Sequence, residues 1–440
     1  MKVKTTLKRN LAGVSLLITG VWLLTIGAVT ALSWVSAEAQ APQASPTAQS
    51  DDVTVPDSGV EHPGDEGARA HTNHLILNRR NHGARPDAGN GAPSGETPAS
   101  LGCVYKLPGA IGGPSGGCKT GDSIANPTGG SGVIAIVDAY DYPAAESDLD
   151  VFSKQFGLPS CTVANGCFSV VYASGSKPTS DCGWNQEAAL DIEWAHAMAP
   201  AAKIVLVEAA SNSLADLLTA VSKASQIPGV SQVSMSWGTG EFFFESFYET
   251  FLNKQGVAFF AASGDTGGKT IWPGVSQNVI SSGGTTVNRN SDGSFASETA
   301  WNSGGGGSSK YEQRPAYQNV IQVTVGSKRG TPDLAFDADP YTGVSVYDSI
   351  LCGGYQYWMV FGGTSVSAPS LAGIVNQAGK KLGSGSSASW PEQRLIYTGY
   401  PNYSASTFRD ILSGKAGSNS AGPNWDFTSG VGSNQGLNGK

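Results

Sequence analysis

The stretch FGGTSVSAPS, residues 361–370, sets Ser365 behind two glycines and ahead of the apolar run APSLAGIVNQAG. That run reads as a helix with Ser365 at its start, where the serine N–H and the helix dipole would help stabilise an oxyanion. A nucleophilic serine also needs a general base, ordinarily histidine. The chain has five histidines. His62, His71, His74 and His82 fall in a low-complexity stretch, expected to hold no side chain to catalytic tolerance. Only His196 belongs to the part expected to fold, within WNQEAALDIEWAHAMAP, a predicted helix from about Asn185 to Met198. At ~100° per residue, Glu187 and Asp191 share one face of that helix, and His196 points about half a turn away from Glu187. His196 is therefore expected at the surface or packed against a neighbour, away from the carboxylates.

Carboxylates are the remaining bases. Glu187 and Asp191 stand four residues apart, a like-charge pair that weakens a helix unless it is a solvated face or shares a proton. Apolar neighbours, Ala188, Ala189, Leu190, Ile192 and Trp194, favour burial over solvation. A third carboxylate, Asp265, lies in AASGDTGG, a glycine turn after an apolar run. Alone, that turn is better read as one in which an aspartate satisfies its own backbone.

Four short apolar runs, GVIAIVDA (132–139), KIVLVEA (203–209), VSQVSMSWG (230–238) and VAFFAAS (257–263), suit strands buried on both faces. Between them AAESDLDVFSKQFG, WNQEAALDIEWAHAM, SLADLLTAVSKASQ and EFFFESFYETFLNKQG have helical spacing or composition. The alternation predicts an α/β fold with a parallel sheet, whose ligand site lies at the carboxyl ends of the strands. Fifty-eight glycines, 14% charged residues and a net charge of −8 leave no basic face for nucleic acid.

The amino-terminal residues place Lys2, Lys4, Lys8 and Arg9 before an apolar run from Leu11 to about Trp34, then Ala37-Glu38-Ala39. This order predicts an export signal over residues 1–39. The run is also long enough for an uncleaved membrane anchor over 11–34. A secreted or extracytoplasmic chain suits the six cysteines, for which Cys161–Cys167, Cys103–Cys118 and Cys182–Cys352 are the favoured pairs among 15 pairings. Residues 40–100, rich in Pro, Gly, Ser and charge, read as a low-complexity linker or short pro-segment, with one apolar patch at Leu75-Ile76-Leu77. Residues 101–440 form the expected catalytic domain.

Taken in order, WNQEAALD, SGDTGG and GGTSVSAP, with VSMSWG, WPGVSQNVISSGGTTV, ETAWNSGGGGSS and PDLAFDADPYTGVSVYD between them, resemble the sedolisin family. These are serine-carboxyl peptidases with a subtilisin-like fold, and the similarity covers roughly residues 130–435. The resemblance implies a three-layer fold with a mostly parallel central sheet flanked by helices. It makes Ser365 the nucleophile, Glu187 its base, Asp191 the group orienting Glu187 and sharing its proton, and Asp265 an oxyanion-hole donor. Asp265 can donate only while protonated and Glu187 must be ionised, conditions met together in acid. The expected activity is acid-working endopeptidase cleavage of polypeptides by an exported monomer. A tripeptidyl-type exopeptidase of the same fold and an inactive surface binding module are the alternatives.

The same resemblance assigns substrate backbone binding to Ser236, Trp237 and Gly238, where an extended peptide could add as a strand. It also implies one Ca²⁺, held by the carboxylates of Asp410 and Asp426 and the carbonyls of Ile411, Gly422 and Asn424. Two aspartates capping turns is the plainer reading of that loop. Two features depart from the family. Sedolisins typically carry a large folded pro-domain, and here about sixty low-complexity residues stand in that place. Asp138 occupies the strand end where a subtilisin has its catalytic aspartate; it is expected to be structural or substrate-facing.

Overall fold

In the computed structural model, the alternating runs build one sheet of ten strands. The structure describes residues 52–78, 92–110, 117–379, 390–402 and 407–440. The expected leader and anchor lie outside the described residues. Among the described residues no helix is long and apolar enough to cross a membrane.

Strands Phe168–Tyr172, Lys203–Ala209, Val133–Ala139, Val230–Met235, Ala258–Ala262, Val279–Arg289, Leu334–Asp337 and Ser433–Asn434 lie side by side in that order, each parallel to the next. Phe408–Arg409 adds antiparallel at one edge, and Phe295–Ala300 folds back on Val279–Arg289. Every residue of Val133–Ala139 and Ala258–Ala262 is buried, as unalternated apolar runs require.

Side chains alternate across this sheet and divide the core in two. Ile134 and Ile136 pack with helices Ala145–Phe156, Cys182–Met198 and Thr364–Ala378 on one face. Val133, Ala135 and Val137 pack with Leu214, Leu217 and Val221 of helix Leu214–Ala224 on the other. The result is the expected three-layer α/β architecture.

Two helices matter most for the site. Cys182–Met198 is buried almost throughout, in keeping with a sequence that is apolar on most sides. The Asp181 side chain caps its start by accepting the N–H groups of Gly183 and Trp184. Helix Thr364–Ala378 packs beside it, beginning at Gly363. The three disulfides pair as expected: Cys103–Cys118, Cys161–Cys167 and Cys182–Cys352.

One predicted helix is absent. EFFFESFYETFLNKQG forms a 3-10 stretch at Glu245–Thr250. The Phe242 N–H donates to the buried Glu245 carboxyl and tightens the turn, and Phe243, Phe244 and Phe247 are exposed among the described residues.

Residues 52–78 are folded onto this body without a core of their own. Val53–Thr54 pairs with Leu75–Leu77, which pairs in turn with the strand Tyr355–Gly362. His71–Thr72 pairs with the strand Trp237–Gly240. The apolar patch finds its burial here: Ile76 joins the main core, and Leu75 packs with Trp301 and Ala338.

Candidate active site

The carboxyl ends of the parallel strands, the middle of helix Cys182–Met198 and the start of helix Thr364–Ala378 meet at one buried point. Glu187 and Asp191 occupy one face of the first helix, both completely buried. His196 turns away from them, its Nε2 against the Pro159 carbonyl at 2.9 Å, so it is the packed histidine that the helix geometry predicts.

Ser365, in the first turn of its helix, is also fully buried. Its Oγ donates to the Ser236 carbonyl at 3.1 Å. Ser236 Oγ donates to Asp191 Oδ1 at 2.7 Å, linking the carboxylate helix to the nucleophile turn. On the other side of the turn, Thr364 donates to Asp265 Oδ1 from both its N–H and its hydroxyl, each at 2.8 Å. That anchors one carboxyl oxygen and leaves Asp265 Oδ2 without a protein partner.

Gly363 explains how these groups come so close. Its φ of +98° is one that side-chain-bearing residues rarely adopt. A Cβ there would lie 2.5 Å from Asp265 Oδ2 and 2.1 Å from the Asn73 carbonyl oxygen. Both oxygens thus flank Gly363, and the Ser365 N–H donates to the Asn73 oxygen at 3.0 Å.

The electrostatics follow from burial. Desolvation pushes Asp265 up to about 8, against the pull of its Thr364 hydrogen bonds, with Glu187 adding repulsion. Asp191 is held well above the usual carboxylate range by burial, then by Asp138 and Glu187. Asp138 is raised by burial, then by Glu187 and Glu208. Burial raises Glu208 to about 7. Asp138 therefore belongs to the same carboxylate cluster as Glu187; it is fully buried, and neither oxygen has a hydrogen bond among the described residues.

The predicted substrate edge is occupied. Trp237 itself is buried, its Nε1 on the Val137 carbonyl, so the strand offers its backbone. His71 and Thr72 lie antiparallel to Gly238 and Trp237, and the Asn73 N–H donates to the Ser236 carbonyl at 3.1 Å. His74 comes next, and its Nδ1 lies 2.9 Å from Glu187 Oε2. The Asn73 N–H also reaches that oxygen, at 3.2 Å.

This overturns the expectation that nothing in the low-complexity stretch holds a histidine in place. His74 is buried, its ring stacked on Phe361 with centroids 5.2 Å apart. The segment gains its order from strand edges that belong to the catalytic body, a source of stability that its own composition does not carry. The signal that could have found it is the adjacency of Asn73-His74 to the one apolar patch in the stretch.

At the carboxyl-terminal loop, Asp426 Oδ1 accepts from the N–H and hydroxyl groups of Thr428 and Ser429, and its Oδ2 accepts the Gly422 N–H. Asp410 Oδ2 accepts the Asn424 N–H at 2.8 Å. Burial and then Asp426 raise Asp410, so the two carboxylates are within electrostatic reach. Neither carboxylate has an ion pair among the described residues, and the groups seen on them are N–H and hydroxyl donors of the loop. Asp426 is at the same time a turn cap.

Residues 172–432, more than half of the chain, match the subtilase family. The chain is 31% identical to kumamolisin of Bacillus sp. (strain MN-32) over 83% of its own length and 66% of that protein's. It is 26% identical to sedolisin of Pseudomonas sp. (strain 101) over 71% of its length and 58% of that protein's. The chain thus spans less than two thirds of the length of either relative. The structure of Pseudomonas sedolisin complexed with two molecules of pseudo-iodotyrostatin superposes with a TM-score of 0.61 at 24% identity, covering 78% of this chain and 96% of that one. The chain belongs to the subtilase family and has the subtilisin-like fold of its sedolisin members.

Proposed function

We propose that the protein is an exported serine-carboxyl endopeptidase that hydrolyses polypeptides in acid. The observation that carries the reading is the arrangement around the Asn73 carbonyl: the Ser365 N–H on its oxygen, Asp265 beside it, and Glu187 on the adjoining N–H. A peptide carbonyl in that position can be attacked by Ser365 Oγ. Glu187 takes the serine proton as general base and returns it to the leaving amine. Asp191 lies one helical turn from Glu187 and is coupled to it by charge, which suits a group that shares its proton. Asp265, pushed up to about 8, stays protonated in acid and donates to the oxyanion with the Ser365 N–H.

A polypeptide running through the cleft from His71 to Leu77, with no chain end in it, favours an endopeptidase over a tripeptidyl-type enzyme. Export suits the three disulfides.

Activity on a peptide blocked at its amino terminus tests the reading. Ser365→Ala and Glu187→Gln should each lower kcat by about 10⁴-fold or more with the thermal transition retained. Full activity in either variant contradicts it.

One Ca²⁺, held by Asp410 and Asp426 with the carbonyls of Ile411, Gly422 and Asn424, completes the proposal. Its role is to hold the loop through charge neutralisation. A chelator should lower the melting temperature, and an unchanged melt removes the ion from the account.

A further inference from the structure

Resting on the peptidase reading above, we propose that the exposed aromatic row Tyr311, Phe243, Phe244 and Phe247 is a substrate subsite. It takes the stretch of extended polypeptide upstream of the cut, and it selects chains with apolar side chains at alternate positions.

The row begins where the substrate edge ends. In an antiparallel ladder, alternate residues turn their backbone groups to the same edge. On that edge the Ser236 carbonyl accepts the Asn73 N–H, Gly238 lies opposite His71, and the Gly240 N–H donates to the Glu61 carboxyl at 2.7 Å. The Glu61 oxygen thus occupies the place of the next peptide carbonyl of an extended chain. The chain's own segment does not follow the edge that far: the Ala70 N–H turns to the Asn212 carbonyl, and Arg69 pairs with Ser213.

Glu241 joins this edge to the rings. Its carboxyl accepts the Thr270 hydroxyl, the Ser309 hydroxyl and the Lys310 N–H, which draws the strand Gly307–Gln313 alongside. Gly240, Glu241 and Lys310 line the cleft of about 850 Å³ that also holds Asp265. Tyr311 follows Lys310 directly, and Phe243 comes two residues after Glu241. This continuity with the peptide edge is what names a polypeptide as the occupant.

The spacing of the rings suits one. Tyr311 to Phe243 is 6.1 Å between centroids, Phe243 to Phe244 is 5.0 Å, and Phe244 to Phe247 is 6.2 Å. An extended chain presents a side chain to one face every ~6.6 Å, so alternate side chains can each meet a ring. The turn holds the row in place. The Glu245 N–H donates to the Phe242 carbonyl and the Phe247 N–H to the Phe244 carbonyl, and the three-residue spacing of a 3-10 turn brings Phe244 and Phe247 to one side. Phe243, Phe244 and Phe247 are 72%, 59% and 74% exposed, and contiguous phenyl rings at a surface mark an interaction site.

The test compares three acetylated peptides that share one sequence cut by the parent chain. The first begins about four residues before the cut; the other two extend about six residues farther upstream, with phenylalanine or serine at alternate positions. The phenylalanine extension should lower KM about tenfold relative to serine, with kcat unchanged, because the contact is made equally in the ground and transition states. In the triple variant Phe243→Ser, Phe244→Ser, Phe247→Ser, checked for an unchanged melt, that advantage should vanish while the short peptide keeps its kcat/KM. Equal KM for the two extensions in the parent, an advantage kept by the variant, or an equal loss on the short peptide overturns the subsite and leaves the peptidase reading standing. Binding to phosphatidylcholine vesicles, or self-association in sedimentation, that the variant loses while KM shows no phenylalanine advantage also overturns it; the rings then serve a membrane or a second copy. Hydrolysis of none of the three peptides overturns the peptidase reading and the subsite with it.

Discussion

Two halves of one sheet bury carboxylates in opposite ways. Toward the edge formed by Leu334–Asp337 and Ser433–Asn434, Asp333 and Glu298 are each matched to an arginine, whereas Asp337 is not. Asp333 takes Arg329 on Oδ2 at 2.5 Å, together with the Ser281 N–H, and the Tyr397 hydroxyl on Oδ1. Glu298 takes Arg409 and the Ser433 hydroxyl on one oxygen and the hydroxyls of Tyr105 and Thr285 on the other. Among the described residues, no arginine pairs with the carboxylates around Val133–Ala139: the Asp138 carboxyl has no hydrogen bond, and Glu187, Asp191 and Asp265 each keep one oxygen without a partner. Where these carboxylates hold the fold, the chain supplies a cation and a partner for each oxygen. In the cluster proposed for the chemistry, the carboxylates raise one another's pKa, and protonation takes the place of the cation.

The contrast can be broken from either side. The largest effect is expected on the paired side. Arg329 is completely buried, and Arg329→Met would strand the Asp333 charge. The variant should lose about 3–5 kcal/mol of stability by denaturant titration, and Arg329→Met with Asp333→Leu should recover most of it. A single variant as stable as the parent would mean that the pair is not the support described here.

A smaller effect is expected on the unpaired side, and it depends on pH. Asp138 and Asp191 are raised well above the usual range, Asp265 to about 8 and Glu208 to about 7. Their folded values exceed their unfolded ones, so the folded state binds more protons. The stability this gives is fully present below the unfolded values, about 4, and is lost as pH rises through the folded ones. The melting temperature should be highest in acid and fall toward pH 8. Asp138→Asn, which removes one of the buried acids, should flatten that decline. A melting temperature that rises from acid to neutral pH would contradict the cluster's assignment as proton-holding.

Much of this was legible in the sequence because its periodicities are strong. Unalternated runs such as VAFFAAS suit strands covered on both faces, and the four-residue spacing of Glu187 and Asp191 fixes a shared face. That same geometry removed His196 correctly. Two disulfide pairs followed from short loops, and Cys182–Cys352 was the pair that remained. What escaped was whatever depends on a partner element. Asn73 and His74 acquire their place from strand edges at Trp237–Gly240 and Tyr355–Gly362, and nothing within residues 52–78 encodes those edges. Asp138 was legible as a strand-end aspartate, but its neighbours Glu187 and Glu208 come from other elements. The phenylalanine run at 242–247 has helical composition, and the Phe242 N–H on the Glu245 carboxyl closes a tighter turn in its place.

The central claim is that a titrating carboxylic acid, with a carboxylate base and no histidine, runs the chemistry at Ser365. The most direct test is the pH profile of kcat/KM on a blocked peptide, measured for the parent enzyme and for Asp265→Asn, which keeps a donor that cannot titrate. The account predicts greatest activity in acid, with a fall as Asp265 loses its proton on the way to about pH 8, and no such fall in Asp265→Asn. Activity that rises through neutral pH to an alkaline plateau in both enzymes, as a histidine base would give, would contradict it.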